Sequence, residues 1–275
     1  MTEQPPGETD RPASRTDTRA LDHVEEITAR LGSEPTVFLD YDGTLTAIVG
    51  DPSQATITDA ERTVLRELAG HAPVAIVSGR GLDDVKGLVA ITGLIYAGSH
   101  GFEIELPDGE TFEHEQAERF AADLAQAAER LTAGAGDLSG VFIERKPYAI
   151  AVHTRRAESD EVRVRAGDLA ERVADEFDSL TVTGGKEIHE IRPALDWDKG
   201  RAVDHVLGRL PGSPTPLYIG DDETDEDAFR MVEQLGGVGI LVAPVGAAIE
   251  TAAHYVLADP AETIEFLARL TVSLD

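Results

Sequence analysis

Residues 37 to 42 set the terms for this chain: the apolar run Val37-Phe38-Leu39 stops abruptly at two carboxylates one residue apart, Asp40 and Asp42, followed by Gly43 and Thr44. A short run rich in β-branched and aromatic residues, with no polar alternation, reads as a parallel strand buried on both faces. Val74 to Val77, Leu94 to Ala97 and Leu217 to Ile219 repeat the pattern, and the first and last also end in polar residues, Ser78 and Gly220-Asp221. Between the first two runs, Thr58 and Glu61 form a capping-box signature ahead of Val64, Leu65 and Leu68 at helical spacing. Strand alternating with helix predicts an α/β fold, a parallel sheet with helices on both faces. In such sheets ligands bind just beyond the carboxyl ends of the strands. Residues i and i+2 of an extended chain point the same way, so Asp40 and Asp42 share one small volume. Two carboxylates that close require a cation between them, a proton on one of them, or both.

An Asp-x-Asp-Gly string also occurs in tight turns and in calcium loops. A calcium loop needs oxygen ligands at fixed spacing and a glutamate at position twelve; counted from Asp40 that position is Asp51, and Thr44, Thr46 and Ile48 occupy intermediate ligand places. The pattern of elements changes after residue 103. A Pro107-Asp108-Gly109 turn predicts a hairpin over Ile104 to Phe112, an alanine-rich helix spans about Glu115 to Ala133, and short strands with a second helix follow. The expected organisation is a polar, disordered tail over 1–19, a core built from 20–103 and 192–275, and an inserted α/β cap over 104–191.

Asp40-Tyr41-Asp42-Gly43-Thr44 resembles the first motif of the haloacid dehalogenase superfamily of phosphohydrolases, and Ser78, Lys199 and Gly220-Asp221-Asp222 with Asp225 follow in that superfamily's order. Gly98-Ser99-His100-Gly101, Phe142 to Lys146, Ala151 to Arg155 and Gly185 to Pro193 narrow the resemblance to trehalose-6-phosphate phosphatases, over about residues 20 to 270. Ala47 departs from the family, which often has proline there. The resemblance implies a Rossmannoid core with a cap. It implies hydrolysis of trehalose 6-phosphate with Asp40 as nucleophile, Asp42 as general acid and base, Ser78 on the phosphoryl oxygens and Lys199 as the neutralising cation. Mg2+ is the implied cofactor, held by Asp40, Asp42 through its backbone carbonyl, and Asp221; hard oxygen ligands suit that ion. Thr44, His100, Asp222 and Asp225 are implied as supporting residues. Arg80, Glu144, Lys146, Arg155, Lys186 and Glu190 are implied sugar contacts, although the cap residues among them could equally form cross-strand ion pairs. The same core would serve another sugar phosphate, such as that of sucrose or mannosylglycerate, or a catalytically silent regulator. A trehalose-6-phosphate synthase is the expected neighbour in the reaction sequence.

The chain has 52 acidic against 24 basic residues, a formal charge of −28, and no cysteine. Nucleic acid and anionic membrane are excluded as expected partners, because both demand clustered cations. Disulfides and thiolate metal sites are excluded outright. No apolar run reaches the roughly 18 to 20 residues that span a bilayer, and the N-terminus lacks a basic segment ahead of an apolar one, so no signal peptide is expected and the cytoplasm is the expected location. Only four of the basic residues are lysines, and Lys146, Lys186 and Lys199 fall inside the motifs; Lys86, beside Asp83 and Asp84, reads as a surface residue. Arginine in place of lysine on a strongly acidic chain predicts adaptation to a salt-rich cytoplasm, where screening relieves self-repulsion. Thermal melts in low and molar KCl should therefore show a higher midpoint in the salt; equal midpoints would remove the case for adaptation.

Overall fold

The computed structural model describes residues 18–275 apart from 186, 245 and 248. In chain order the elements are α1 (Val24–Leu31), β1 (Pro35–Leu39), α2 (Asp59–Ala69), β2 (Val74–Val77), α3 (Leu82–Val89), β3 (Ile95–Gly98), β4 (Glu103–Glu105) and β5 (Thr111–Glu113). Then come α4 (Ala121–Gly134), β6 (Phe142–Arg145), β7 (Ile150–His153), α5 (Asp160–Ala174), β8 (Leu180–Gly185) and β9 (Ile188–Pro193). The chain closes with α6 (Lys199–Leu207), β10 (Thr215–Gly220), α7 (Glu226–Gln234), β11 (Val238–Val242), β12 (Tyr255–Leu257) and α8 (Pro260–Leu274).

The larger sheet has the order β12-β11-β10-β1-β2-β3-β4-β5, parallel from β12 to β3 and antiparallel beyond. β1 is buried along its whole length, and its side chains divide between two cores, as the two-residue period demands. Val37 and Leu39 face the core built with Ile27, Leu65, Phe266 and Leu270 of α1, α2 and α8; Phe38 faces the core built with Val203, Phe229 and Val232 of α6 and α7. The capping box is present: the Thr58 hydroxyl accepts from the Glu61 amide at 3.3 Å and the Glu61 carboxylate accepts from the Thr58 amide, which starts α2 one residue later.

The second sheet, β6-β7-β9-β8, is antiparallel and packs α4 and α5 on one face through Leu124, Leu131, Leu169 and Val173. Three sequence expectations shift here. The 103–113 hairpin turns through Gly109, at φ 87°, as the Pro-Asp-Gly signal predicts, yet β4 and β5 extend the larger sheet instead of entering the insertion. Hydrogen bonding to the edge strand β3 decides this, since an unpaired edge needs a partner. Residues 1–17 of the expected tail lie outside the described residues, while the Thr18 carbonyl accepts from Val256 N at 2.8 Å, so residue 18 is already tied to β12. Lys86 is tied down: its ammonium sits 2.6 Å from the Glu105 carboxylate, joining α3 to β4.

Phe112 of β5 packs on Trp197 and His205 with ring centroids 5.7 and 4.0 Å apart, and His114 stands 4.7 Å from Trp197, so an aromatic cluster fastens the hairpin to the segment that leads out of β9 into α6. Truncating Phe229, fully buried and edge-on to Tyr218, leaves a cavity beneath β10 and β11. Phe229→Ala should lower unfolding free energy by about 3 to 5 kcal/mol in denaturant titrations, the usual range for a buried Phe→Ala change.

Candidate active site

Asp40, Ser78 and Asp221 each follow the last residue of a neighbouring parallel strand, β1, β2 and β10. The Asp40 amide donates to Ile219 O at 2.9 Å, which locks the end of β1 beside that of β10. Gly43, at φ 92°, turns the chain back so that its amide donates to Thr46 O at 2.7 Å. A Cβ on Gly43 would overlap the Asp221 carboxylate, so only glycine leaves room for that side chain.

Lys199 opens α6 and is almost wholly buried. Its ammonium donates to Asp40 Oδ1 at 2.8 Å and to Asp225 Oδ1 at 2.6 Å. Asp225 also accepts from the Tyr218 hydroxyl and from the amides of Asp221 and Asp222, at 2.6, 3.0 and 3.0 Å, so both of its oxygens are engaged. One carboxylate oxygen each of Asp40, Asp221 and Asp225 lies within 4.8 Å of the others. Burial pushes the Asp40 carboxyl well above its ordinary value; Lys199 opposes this, and the Asp225 and Asp221 carboxylates add to it. Burial disfavours the Lys199 cation, but Asp225 and Asp40 hold its pKa well above the usual lysine value. The donor set is all hard oxygen and carries more negative charge than one ammonium offsets, which fits a small divalent cation. Asp40 and Asp221 are the candidates to hold it, since Asp225 is occupied by four donors.

The remaining sequence candidates fall into three groups. The Asp42 carboxylate is gripped by Arg80, Nε to Oδ2 at 2.6 Å and Nη2 to Oδ1 at 2.7 Å. Arg80 therefore meets the carboxylate of Asp42, although the resemblance implied a sugar. The Ser78 hydroxyl accepts from the Arg80 amide at 3.1 Å, Asp222 accepts from Glu223 N at 2.9 Å, and the buried Thr44 hydroxyl has no hydrogen-bond partner among the described residues. From the four-stranded sheet, Lys146 and Glu190 are brought to the core: Lys146 Nζ donates to Glu190 Oε1 at 2.6 Å and to Gly79 O at 3.2 Å, while His100 Nε2 is 2.8 Å from Glu190 Oε2. Glu144 is paired with His153 Nε2 at 2.7 Å and feels the charges of Lys146 and Arg80. Arg155 is placed elsewhere, donating to Glu187 Oε2 and to Val49 O, both at 3.0 Å, with Arg156 on Gly50 O at 2.9 Å. Its long side chain reaches the loop after β1 and fastens the two sheets together. Lys186 lies outside the described residues. Tyr218 and His153 escaped the sequence reading; an aromatic hydroxyl within an apolar strand and a histidine in a β-branched run look like packing residues.

The trehalose-phosphatase profile matches residues 38–261. This chain belongs to the trehalose-phosphatase family. It is 44% identical over 253 residues to the trehalose-phosphate phosphatase of Mycobacterium avium, covering 89% of this chain and 64% of that protein. The chain thus spans under two thirds of the curated relatives it first matches. The trehalose-6-phosphate phosphatase of Aspergillus fumigatus superposes with a TM-score of 0.64 at 28% identity, over 93% of this chain and 99% of that one. The C-terminal domain of the Candida albicans trehalose-6-phosphate phosphatase gives a TM-score of 0.81 at 24% identity, over 93% and 98%, a likeness of fold. A haloacid dehalogenase-like core with an inserted α/β unit is therefore the architecture of this trehalose-phosphatase family member.

Burial would raise the Glu190 carboxyl, but Lys146 and His100 hold it below the usual carboxylate range. A lowered folded-state pKa contributes stability that is present above the unfolded value of 4.5 and lost as pH falls below it. Glu190→Gln should cost about 3 kcal/mol at pH 7, as for one partner of a buried pair. Denaturant melts at pH 7 and pH 3 should show that gap narrowing in acid; an undiminished gap would contradict the ionised pair.

Proposed function

We propose that this chain is a Mg2+-dependent phosphatase that hydrolyses trehalose 6-phosphate to trehalose and phosphate through an aspartyl-phosphate on Asp40. The observation that carries the reading is the buried Asp40 carboxylate with one oxygen fixed by Lys199. With Oδ1 so engaged, Oδ2 is the oxygen left to attack phosphorus. That bond forms as the bond from phosphorus to the sugar oxygen breaks, and Asp42, released from Arg80 and taking up a solvent proton as the substrate binds, gives that proton to the leaving oxygen. Asp42 then takes a proton from the water that attacks the aspartyl-phosphate, which releases phosphate and restores the Asp40 carboxylate. Lys199 offsets charge on the nucleophile and on the phosphoryl group throughout. Ser78 would hydrogen-bond the phosphoryl oxygens.

Asp40, Asp221 and the backbone carbonyl of Asp42 would hold Mg2+. The ion would supply charge neutralisation and orientation of the transferring group. The family relationship and the acidic cluster support this cofactor. The four-stranded sheet, with Glu144, Lys146 and Glu190, would select the sugar and exclude water while the leaving group is bound. No helix among the described residues is long and apolar enough to cross a membrane. A cytoplasmic site of action, beside a synthase that makes the sugar phosphate, belongs to the same proposal.

Phosphate release from trehalose 6-phosphate, sucrose 6-phosphate and other sugar phosphates, with Mg2+ and molar KCl, tests this. Preference for trehalose 6-phosphate is expected, with loss under chelator and at least about a thousandfold loss in Asp40→Asn, a nucleophile removed. Preference for another sugar phosphate would overturn the substrate, and undiminished turnover in Asp40→Asn would overturn the chemistry.

A further inference from the structure

Ser99 and His100 both take left-handed backbone, at φ 50° and 58°, a conformation that costs a non-glycine residue free energy and collects at functional sites. The imidazole lies against the backbone of Gly79, where a Cβ would come within 2.7 Å of Nε2, so the residue after Ser78 is kept bare to admit this ring.

The contacts close a circuit. His100 N donates to Ser78 O at 2.8 Å. Its Nε2 meets Glu190 Oε2 at 2.8 Å, the other oxygen of Glu190 accepts from Lys146 Nζ at 2.6 Å, and Lys146 Nζ returns to Gly79 O at 3.2 Å. Ser78, Gly79 and His100 belong to the larger sheet's rim, and Lys146 and Glu190 to the four-stranded unit. Glu190 is ionised and can only accept, so Nε2 carries the hydrogen and donates. The ring's other nitrogen has no partner among the described residues. Glu190 is the one group that the imidazole hydrogen-bonds among the described residues.

We infer that His100 is a positioning residue for sugar recognition: by holding one oxygen of Glu190, it aims the other and Lys146 at the volume above Ser78. This deepens the phosphatase reading and rests on it. A carboxylate and an ammonium fixed in advance lose less freedom when they meet sugar hydroxyls than a free pair would. Without the imidazole, Glu190 keeps Lys146 but loses its fixed orientation, and the loss falls on binding of the sugar rather than on transfer of the phosphoryl group.

The test uses His100→Asn and His100→Gln in the full chain. Asparagine tolerates left-handed backbone but is too short to reach Glu190, while the glutamine amide donates from about where Nε2 stands. KM and kcat are measured with Mg2+ on the sugar phosphate that the wild type prefers and on p-nitrophenyl phosphate, which has no sugar, beside thermal melts. His100→Asn should raise KM for the sugar phosphate about tenfold, in keeping with one lost hydrogen bond to a charged group. The change for p-nitrophenyl phosphate should be several times smaller, and His100→Gln should recover most of the difference. An equal fall on both substrates, no change on either, or no recovery by glutamine would overturn the inference. If the wild type prefers a sugar phosphate other than that of trehalose, the substrate reading fails while His100 is judged on the preferred compound. If it hydrolyses p-nitrophenyl phosphate and no sugar phosphate, both fail.

Discussion

Everything at the strand ends depends on one buried ammonium. Asp40, Asp221 and Asp225 are all nearly inaccessible, and three carboxylates so placed would repel each other and favour protonation. Lys199 bridges two of them, and Asp225, in turn held by Tyr218 and two amides, fixes where the ammonium sits. The lysine can be there because Asp198 caps α6, accepting from the Arg201 amide at 2.8 Å, so the helix begins at the residue that must face the strands. A larger or branched residue at 200 would strike the Asp227 backbone; Gly200 keeps α6 and α7 close enough to deliver lysine and acid to the same point.

The four-stranded unit is fastened to this rim on two sides by different chemistry. On one side Arg155 and Arg156 donate to the carbonyls of Val49 and Gly50, contacts from long cations to loop backbone at or near the surface. On the other, Lys146, Glu190 and His100 form a largely buried network in which the Glu190 carboxylate joins the Lys146 ammonium to the imidazole. Buried ion pairs of this kind add little net stability but penalise misplacement strongly. The first side is suited to letting go and the second to fixing geometry.

Much of this was legible in the residues. The apolar runs gave the parallel strands, because burial on both faces removes the polar alternation that obscures short strands, and Thr58 with Glu61 gave the start of α2. The carboxylates and Lys199 stand out in the sequence because each sits at a strand end or helix start with a distinct chemical need. What stayed hidden depended on partners distant in the chain. Nothing local to residues 104–113 says that the hairpin adds to β3, and nothing local to Arg155 says that it reaches 106 residues back to Val49. Arg80 was legible as a cation near the site but not as the partner of Asp42, since a guanidinium serves a carboxylate and a phosphate equally well.

The placement of the hairpin makes the two connections to the inserted unit mechanically unequal. The outgoing chain leaves from β5, at the far edge of the larger sheet and four strands from β1. The incoming chain runs from β9 through only five residues, 194–198, into the first turn of α6, where Lys199 is. Trp197 anchors that short span against Phe112 and His114 of the outgoing hairpin, so slack in one connection is shared with the other. The short connection therefore ends on the helix that carries Lys199, while the outgoing one starts from a strand remote from that helix's first turn.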